Sequence, residues 1–166
     1  MEQGHRHYGV YGICLLDSKL LVIHKHGGPY TGRYDLPGGT MEDNESLQTS
    51  ITREFMEETG IQISVVKNIG TTDFLIPYTR TGFDHTHCHH IANIYETQYI
   101  SGDPTQSPKI DDSRGAEFIE IDRLHIENAS PLVMAAVSWI ESRQLDCQLK
   151  VFPEWEIKLS KGEEDL

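Results

Sequence analysis

The segment from about residue 45 to residue 59 limits the fold of this chain more than any other part of it. Its large apolar side chains recur at the i, i+4 and i+8 spacing of one helix face, at Leu47, Ile51 and Phe55. Gly60 follows directly and can take the left-handed conformation that ends many helices. Asp43 or Asn44 can cap the first turn. The pattern predicts an amphipathic helix with one buried face.

Segments with the character of β-strands surround this predicted helix. Residues 10–16 and 19–24 are apolar and flank Asp17-Ser18, a pattern that predicts a hairpin. Further strands are predicted at residues 61–66, 71–76, 91–100 and 116–121. The Leu-Pro-Gly-Gly sequence at residues 36–39 has the residue order of a type II turn. One helix among so many strands indicates an α/β or α+β domain.

A second helix is predicted to begin near residue 130. Ser130 can cap it and Pro131 suits its first turn. Its buried face would carry Leu132, Ala136, Trp139 and Ile140. Because the sequence shows neither an internal repeat nor a linker, we expect one domain over residues 1–145. Residues 146–166 would form a C-terminal extension, with a short strand near residues 149–152 and a frayed acidic end.

The charge of the chain argues against binding to duplex nucleic acid. The formal net charge is −12, whereas a protein that binds the phosphate backbone needs an excess of Lys and Arg. No apolar run approaches the roughly 20 residues of a membrane span, and the first residues lack the apolar core of a secretion signal. The three cysteines are scattered, at Cys14, Cys88 and Cys147. We therefore expect a cytoplasmic protein without a disulfide framework.

The last turns of the first predicted helix hold an unusual group of acids, Glu54, Glu57 and Glu58, beside Arg53. Helix geometry places the three carboxylates within one arc of the surface. They are mutually repulsive and lie at the end of the helix where the dipole is already negative. One explanation is an ordinary solvated acidic face. The other is a binding site for Mg²⁺ or Mn²⁺, which prefer clustered carboxylate oxygens.

The wider sequence from residue 39 to residue 61 resembles the Nudix box, in which Gly, Glu, an Arg-Glu pair, a Glu-Glu pair and a second Gly occur at fixed spacing. Nine specified positions are filled in these 23 residues, by Gly39, Glu45, Arg53, Glu54, Phe55, Glu57, Glu58, Gly60 and Ile61. The resemblance covers roughly residues 6–143. It implies the Nudix fold, an α-β-α sandwich around a mixed β-sheet.

The resemblance also implies roles for these residues. Glu54 and Glu58 would bind the metal ion directly, together with the backbone carbonyl of Gly39. Glu57 would bind a second ion or position the attacking water. Arg53 would hold Glu57 in place.

Two further acids complete the expected metal site. Glu45 would contact the metal-binding residues without binding the ion itself. Family members often add an acid from the loop before the final strand, where this chain has Asp112 and its neighbour Asp111. Two aspartates in a simple loop turn are the alternative for that position.

The implied function is metal-dependent hydrolysis of a phosphoanhydride in a nucleoside diphosphate linked to another moiety. A nucleoside triphosphate, intact or oxidised, is the nearest choice. Pro77 and Tyr78 lie near positions that would favour ADP-ribose or a dinucleoside polyphosphate instead. A Nudix-fold module that binds a nucleotide or protein without catalysis is the alternative of another class. A homodimer is also compatible with the sequence.

Candidate substrate-binding residues lie outside the box. Lys25, Arg33 and Arg80 could contact non-reacting phosphates, and an ordinary surface charge is the alternative for each. The histidine-rich segment at residues 84–90 would, if extended, place His85, His87 and His89 on one face. That face could bind a transition metal such as Zn²⁺. Alternatively, the strand enters the substrate cleft, where His87 and His89 would stack on a base or bind phosphate.

Overall fold

A computed structural model describes residues 3–109 and 113–158, which form eight strands, two α-helices and three single-turn 3₁₀ helices. In chain order the strands and α-helices are β1 (Gln3–Leu16), β2 (Lys19–Lys25), β3 (Tyr34–Asp35), β4 (Gly38–Gly39), α1 (Leu47–Thr59), β5 (Gln62–Pro77), β6 (His85–Ser101), β7 (Ser113–Glu120), α2 (Pro131–Ser142) and β8 (Lys150–Val151). No helix in these two ranges is long and apolar enough to cross a bilayer.

The strands form one mixed sheet in the order β3-β2-β1-β6-β5-β8, with β4 paired to β1 and β7 paired to β2. β1 and β6 run parallel, as do β5 and β8, and the other pairs are antiparallel. The predicted hairpin is present, since Leu16 pairs with Lys19. The long parallel pairing of β1 with β6 is the centre of the fold and forms one wall of the cleft described below.

The two helices cover opposite faces of the sheet. Alternate residues of β1 point to opposite sides, and Val10 and Cys14 pack with Ile51 and Phe55 of α1. A second, larger cluster on the other face packs β1, β5 and β6 against α2, with Trp139 among its buried residues. The predicted α-β-α sandwich with a mixed sheet is therefore confirmed.

Helix α1 ends as predicted but begins differently. Gly60 has φ +70° and donates its backbone N–H to the carbonyl of Met56. The predicted cap at Asp43 or Asn44 is wrong, because the Ser46 hydroxyl caps the helix by accepting the Thr49 N–H at 3.1 Å. Asn44 instead has a positive φ of 63° in the loop before the helix.

Two other local expectations were wrong. The strands predicted at residues 61–66 and 71–76 are one strand, β5, whose pairing with β6 shifts register after Val65 and after Asn68. Residues 36–39 do not form an isolated type II turn, because Gly38 and Gly39 pair as β4 with β1. A Cβ on Gly38 would collide with the Val10 carbonyl, so glycine permits this close strand pairing.

The C-terminal extension packs onto the domain as far as residue 158. Helix α2 is capped as predicted by Ser130, which accepts the Val133 N–H. After it, β8 pairs with β5, in agreement with the strand predicted near residues 149–152. Trp155 then donates its indole N–H to the Pro29 carbonyl at 2.8 Å. The acidic end predicted to be frayed lies outside the described residues.

Candidate active site

Two acids of α1, Glu54 and Glu58, line a cleft of about 530 Å³. Because Ile51 and Phe55 are buried in the core, the helical period turns Glu54 and Glu58 toward β4, where both line the cleft with Gly38 and Gly39. Glu57 does not line the cleft. Its side chain is 36% exposed and lies beside Arg53.

Arg53 connects the acids of the box. Its Nε and Nη2 donate to the two carboxylate oxygens of Glu45 at 2.8 and 2.9 Å. Its Nη1 donates to Glu54 at 3.0 Å and to Glu57 at 2.9 Å. The hydrogen bonds that Glu45 accepts, mainly those from Arg53, lower its pKa to about 2. One guanidinium therefore fixes three carboxylates, a wider role than the expected contact with Glu57 alone.

Glu58 is the buried member of the set, at 5% exposure. Its Oε2 accepts the Gly38 N–H at 2.9 Å. Burial raises its pKa to about 8, although the positive charge of Lys25 acts in the opposite direction. A buried carboxylate without a neighbouring cation is unfavourable, so a bound cation would lower the free energy of ionised Glu58.

The donor set fits a hard divalent cation in its chemistry. A Cβ on Gly39 would lie 2.9 Å from Glu54 Oε1, so the Glu54 carboxylate stands directly against the backbone of Gly39. In residues 3–109 and 113–158, no three Asp, Glu, His or Cys side chains are arranged ready to hold an ion. Arg53 and the Gly38 amide instead engage the oxygens that such an ion would use. Glu54, Glu58 and the Gly39 carbonyl are the groups that could hold it.

A buried chain of hydrogen bonds forms the floor of the cleft. His90 Nδ1 lies 2.7 Å from the Tyr30 hydroxyl, and His90 Nε2 lies 2.9 Å from the Tyr11 hydroxyl. The same Tyr11 oxygen is 3.2 Å from His7 Nε2. Burial is the main reason that the pKa of His90 lies well below its usual value, with the charges of His7, Lys25 and His89 adding to the effect. His90 is therefore uncharged and connects Tyr30 and Tyr11 at the floor of the cleft.

The low pKa of His90 makes stability depend on pH. The unfolded chain takes up a proton at this side chain below about pH 6.5, but the folded protein does not. Its contribution to stability is thus present above pH 6.5 and is lost as the pH falls. In His90→Gln, the amide can still bond both tyrosines without titrating. We expect the decrease in unfolding free energy between pH 6 and pH 5 to be smaller in the variant, by about 1 kcal/mol.

Urea unfolding at pH 7, 6 and 5 measures this difference. All other titrating groups are common to both proteins, so the wild type is the control at each pH. Equal loss of stability in the two proteins would contradict the prediction.

Only two of the three predicted phosphate-binding cations line the cleft, Lys25 and Arg80. Arg33 does not line it. Its guanidinium lies 3.9 Å from the centre of the Trp155 ring, and its Nη1 donates to the Glu156 carbonyl at 2.7 Å. Arg33 holds the C-terminal extension against the domain.

The predicted common face of His85, His87 and His89 is also wrong. β6 has a bulge at Thr86, because Gln3 pairs with His85 while the next residue, Gly4, pairs with His87. The extra residue reverses the alternation, so His85 lines the cleft while His87 and His89 do not. His89 Nε2 instead contacts Asp73 Oδ2 at 2.6 Å.

Other site residues were missed or lie outside the described residues. The cleft-lining residues Tyr11, Tyr30, Asp35 and His90 were not predicted. Asp35 is buried, accepts the Ser130 hydroxyl at 2.6 Å, and has a pKa raised by that burial. No local pattern identifies these residues, since their partners are distant in sequence. The predicted acid Asp112 and its neighbour Asp111 lie outside the described residues.

Comparison with known proteins agrees with this architecture. A family model described as the NUDIX domain matches residues 5–141. An ADP-ribose pyrophosphatase of Methanocaldococcus jannaschii is 30% identical over 120 residues, which cover 72% of this chain and 65% of that protein. A protein named uncharacterized Nudix hydrolase YvcI, from Bacillus subtilis, is 42% identical over 65 residues, covering 38% and 39% of the two chains. This chain therefore matches less than two thirds of the length of either relative.

Solved structures show the same fold. A NUDIX hydrolase from Nitrosomonas europaea superposes with a TM-score of 0.65 at 20% identity, over 95% of this chain and 99% of that one. A MutT NUDIX hydrolase from Burkholderia pseudomallei gives 0.64 at 21% identity, over 81% and 97%. At such identities the likeness concerns the fold alone. The family match extends over most of the chain, including the complete box, and this chain belongs to the NUDIX domain family.

Proposed function

We propose that the protein hydrolyses a phosphoanhydride in a nucleoside diphosphate linked to another moiety, with Mg²⁺ or Mn²⁺. The observation that carries this proposal is the meeting of Glu54, Glu58 and the Gly39 backbone at one end of a single cleft. When bound there, the metal ion would neutralise the diphosphate and lower the pKa of a coordinated water.

The residues of the chain have distinct tasks in this reaction. Arg53 keeps the acids in position through its shared hydrogen bonds. Lys25 lines the same cleft and can contact a phosphate oxygen. The water oxygen attacks one phosphorus, the bridging P–O bond breaks, and each product leaves with a terminal phosphate. A carboxylate of the site accepts the proton of the water.

ADP-ribose is the first substrate to test, because the Methanocaldococcus jannaschii relative is named an ADP-ribose pyrophosphatase. Nucleoside triphosphates, including oxidised ones, are the second class, and dinucleoside polyphosphates the third. A non-catalytic binding module is disfavoured because every acid of the box is present.

A substrate screen tests the proposal. Purified protein would be incubated with each compound in Mg²⁺ or Mn²⁺, and the products identified by mass spectrometry. We expect cleavage of at least one compound at its anhydride, and hydrolysis in ¹⁸O-labelled water would place the label on a product phosphate. Absence of cleavage in every class, with folded protein, would refute the proposal.

A further inference from the structure

One part of the cleft is lined by a group of rings. The ring of His85 has three ring neighbours, and its centroid lies 5.2 Å from that of His5, 5.7 Å from that of Tyr78 and 5.6 Å from that of Phe83. All four of these side chains line the same cleft as Glu54. We call this group the ring-lined end of the cleft.

Within this group, His85 has an unsatisfied polar atom. Its Nε2 is buried and has no hydrogen-bond partner among residues 3–109 and 113–158. A buried polar atom left in this state is unfavourable, and such atoms are rare in folded proteins. The His85 ring lines the cleft, so a rotation of the ring would turn this nitrogen toward a ligand, which could then supply the missing partner.

Phe83 adds an exposed apolar ring beside this nitrogen. The residue is 56% exposed, the highest value among the large hydrophobic residues on the surface of the described ranges. The Arg80 guanidinium lies 5.0 Å from the centre of the Phe83 ring. Flat rings with a cation at the rim suit a planar, polarisable ligand that can stack and also form hydrogen bonds.

The distance between the two ends of the cleft indicates an elongated ligand. Gly39 pairs with Val10 of β1, and His5 lies five residues before Val10. At about 3.3 Å per residue, the two ends are about 16 Å apart along the strand. A phosphate group alone cannot reach both ends. A phosphate chain with an aromatic ring attached through a sugar can extend from one toward the other.

We propose that the ring-lined end binds the nucleobase of the substrate, with Phe83 and Tyr78 as stacking surfaces and His85 Nε2 as a hydrogen-bonding group. This inference rests on the proposed function for the position of the phosphates. A metal site at His85 is disfavoured, because only one of its three ring neighbours, His5, is another imidazole.

Calorimetric binding in excess EDTA tests this inference without requiring hydrolysis. The ligands are AMP, GMP and CMP, each compared with ribose 5-phosphate, which has the same phosphate and sugar but no base. We expect at least one mononucleotide to bind at least about tenfold more tightly than ribose 5-phosphate. In Phe83→Ala and in His85→Ala, that advantage should largely disappear while ribose 5-phosphate binds as before.

His87→Ala is the matched control, since it removes a nearby imidazole that does not line the cleft. It should retain the preference for the base. The inference is overturned if no mononucleotide binds better than ribose 5-phosphate, if the Phe83 and His85 variants keep the preference, or if His87→Ala loses it equally. Selective binding without any hydrolysis in the substrate screen would support the inference and refute only the proposed function.

Discussion

Glu58→Gln should reduce hydrolysis at least about a hundredfold while the protein remains folded. Glu58 is buried and lines the cleft, where it accepts the backbone N–H of Gly38. If it holds the cation, the amide removes one of the negative charges that bind the ion. Stabilisation by a metal ion is worth several kcal/mol, and a factor of one hundred corresponds to about 2.7 kcal/mol in the activation free energy.

The same substitution should not destabilise the metal-free protein. The amide oxygen of the substituted side chain can still accept the Gly38 N–H, the bond seen with Glu58. Burial raises the pKa of the Glu58 carboxyl to about 8, so without a metal ion this position does not favour a charged side chain. The neutral amide also leaves no charge beside Glu54 or near the negative end of α1 at any pH. We therefore expect the unfolding free energy of the variant to equal or exceed that of the wild type. Added Mg²⁺ should then raise the melting temperature of the variant much less than that of the wild type.

Glu141→Gln is a suitable control, because Glu141 is an exposed acid in the last turn of α2. It carries the same effect on the helix dipole without touching the cleft. We expect it to keep normal activity and a normal response to Mg²⁺. Normal hydrolysis by Glu58→Gln, or loss of activity explained entirely by unfolding, would rule out the ligand assignment.

Removal of divalent cations should abolish turnover. Glu54 and Glu58 line the cleft, and the substrate is itself anionic. Without a cation, the acids of the cleft therefore repel the substrate. We expect no detectable product in excess EDTA and full recovery after Mg²⁺ or Mn²⁺ is restored. Phosphate-product release measures the rate, and circular dichroism before and after chelation verifies that the fold is intact. Undiminished turnover in EDTA would exclude the proposed mechanism.

The parts of the structure that could be predicted from sequence depend on neighbours within a few residues. Gly60 ends α1 and Ser130 caps α2 through contacts inside one helical turn. The grouping of Glu54 and Glu58 likewise follows from the period of a single helix. The Nudix resemblance added the sheet arrangement, which no local rule provides.

The parts that could not be predicted depend on pairing between distant segments. The position of His85 is decided by one extra residue, Thr86, in the pairing of β6 with β1. The hydrogen bonds of His90 join it to Tyr30 and Tyr11, 60 and 79 residues away. Arg33 contacts the backbone of Glu156, 123 residues later. Residue type and spacing contain no information about which distant partner each side chain meets.

The packing of Trp155 has a consequence for how this protein should be divided. Its ring lies edge-on to Tyr30, which forms part of the cleft floor, and its indole N–H holds the Pro29 carbonyl. The stretch matched by the family ends at residue 141, well before this support. A fragment that ends at residue 141 would contain every residue of the box but would lack Trp155, which packs against Tyr30 at the floor of the cleft. The range matched by the family is therefore shorter than the range that packs around the cleft, and a fragment of this chain for expression should extend at least through Trp155.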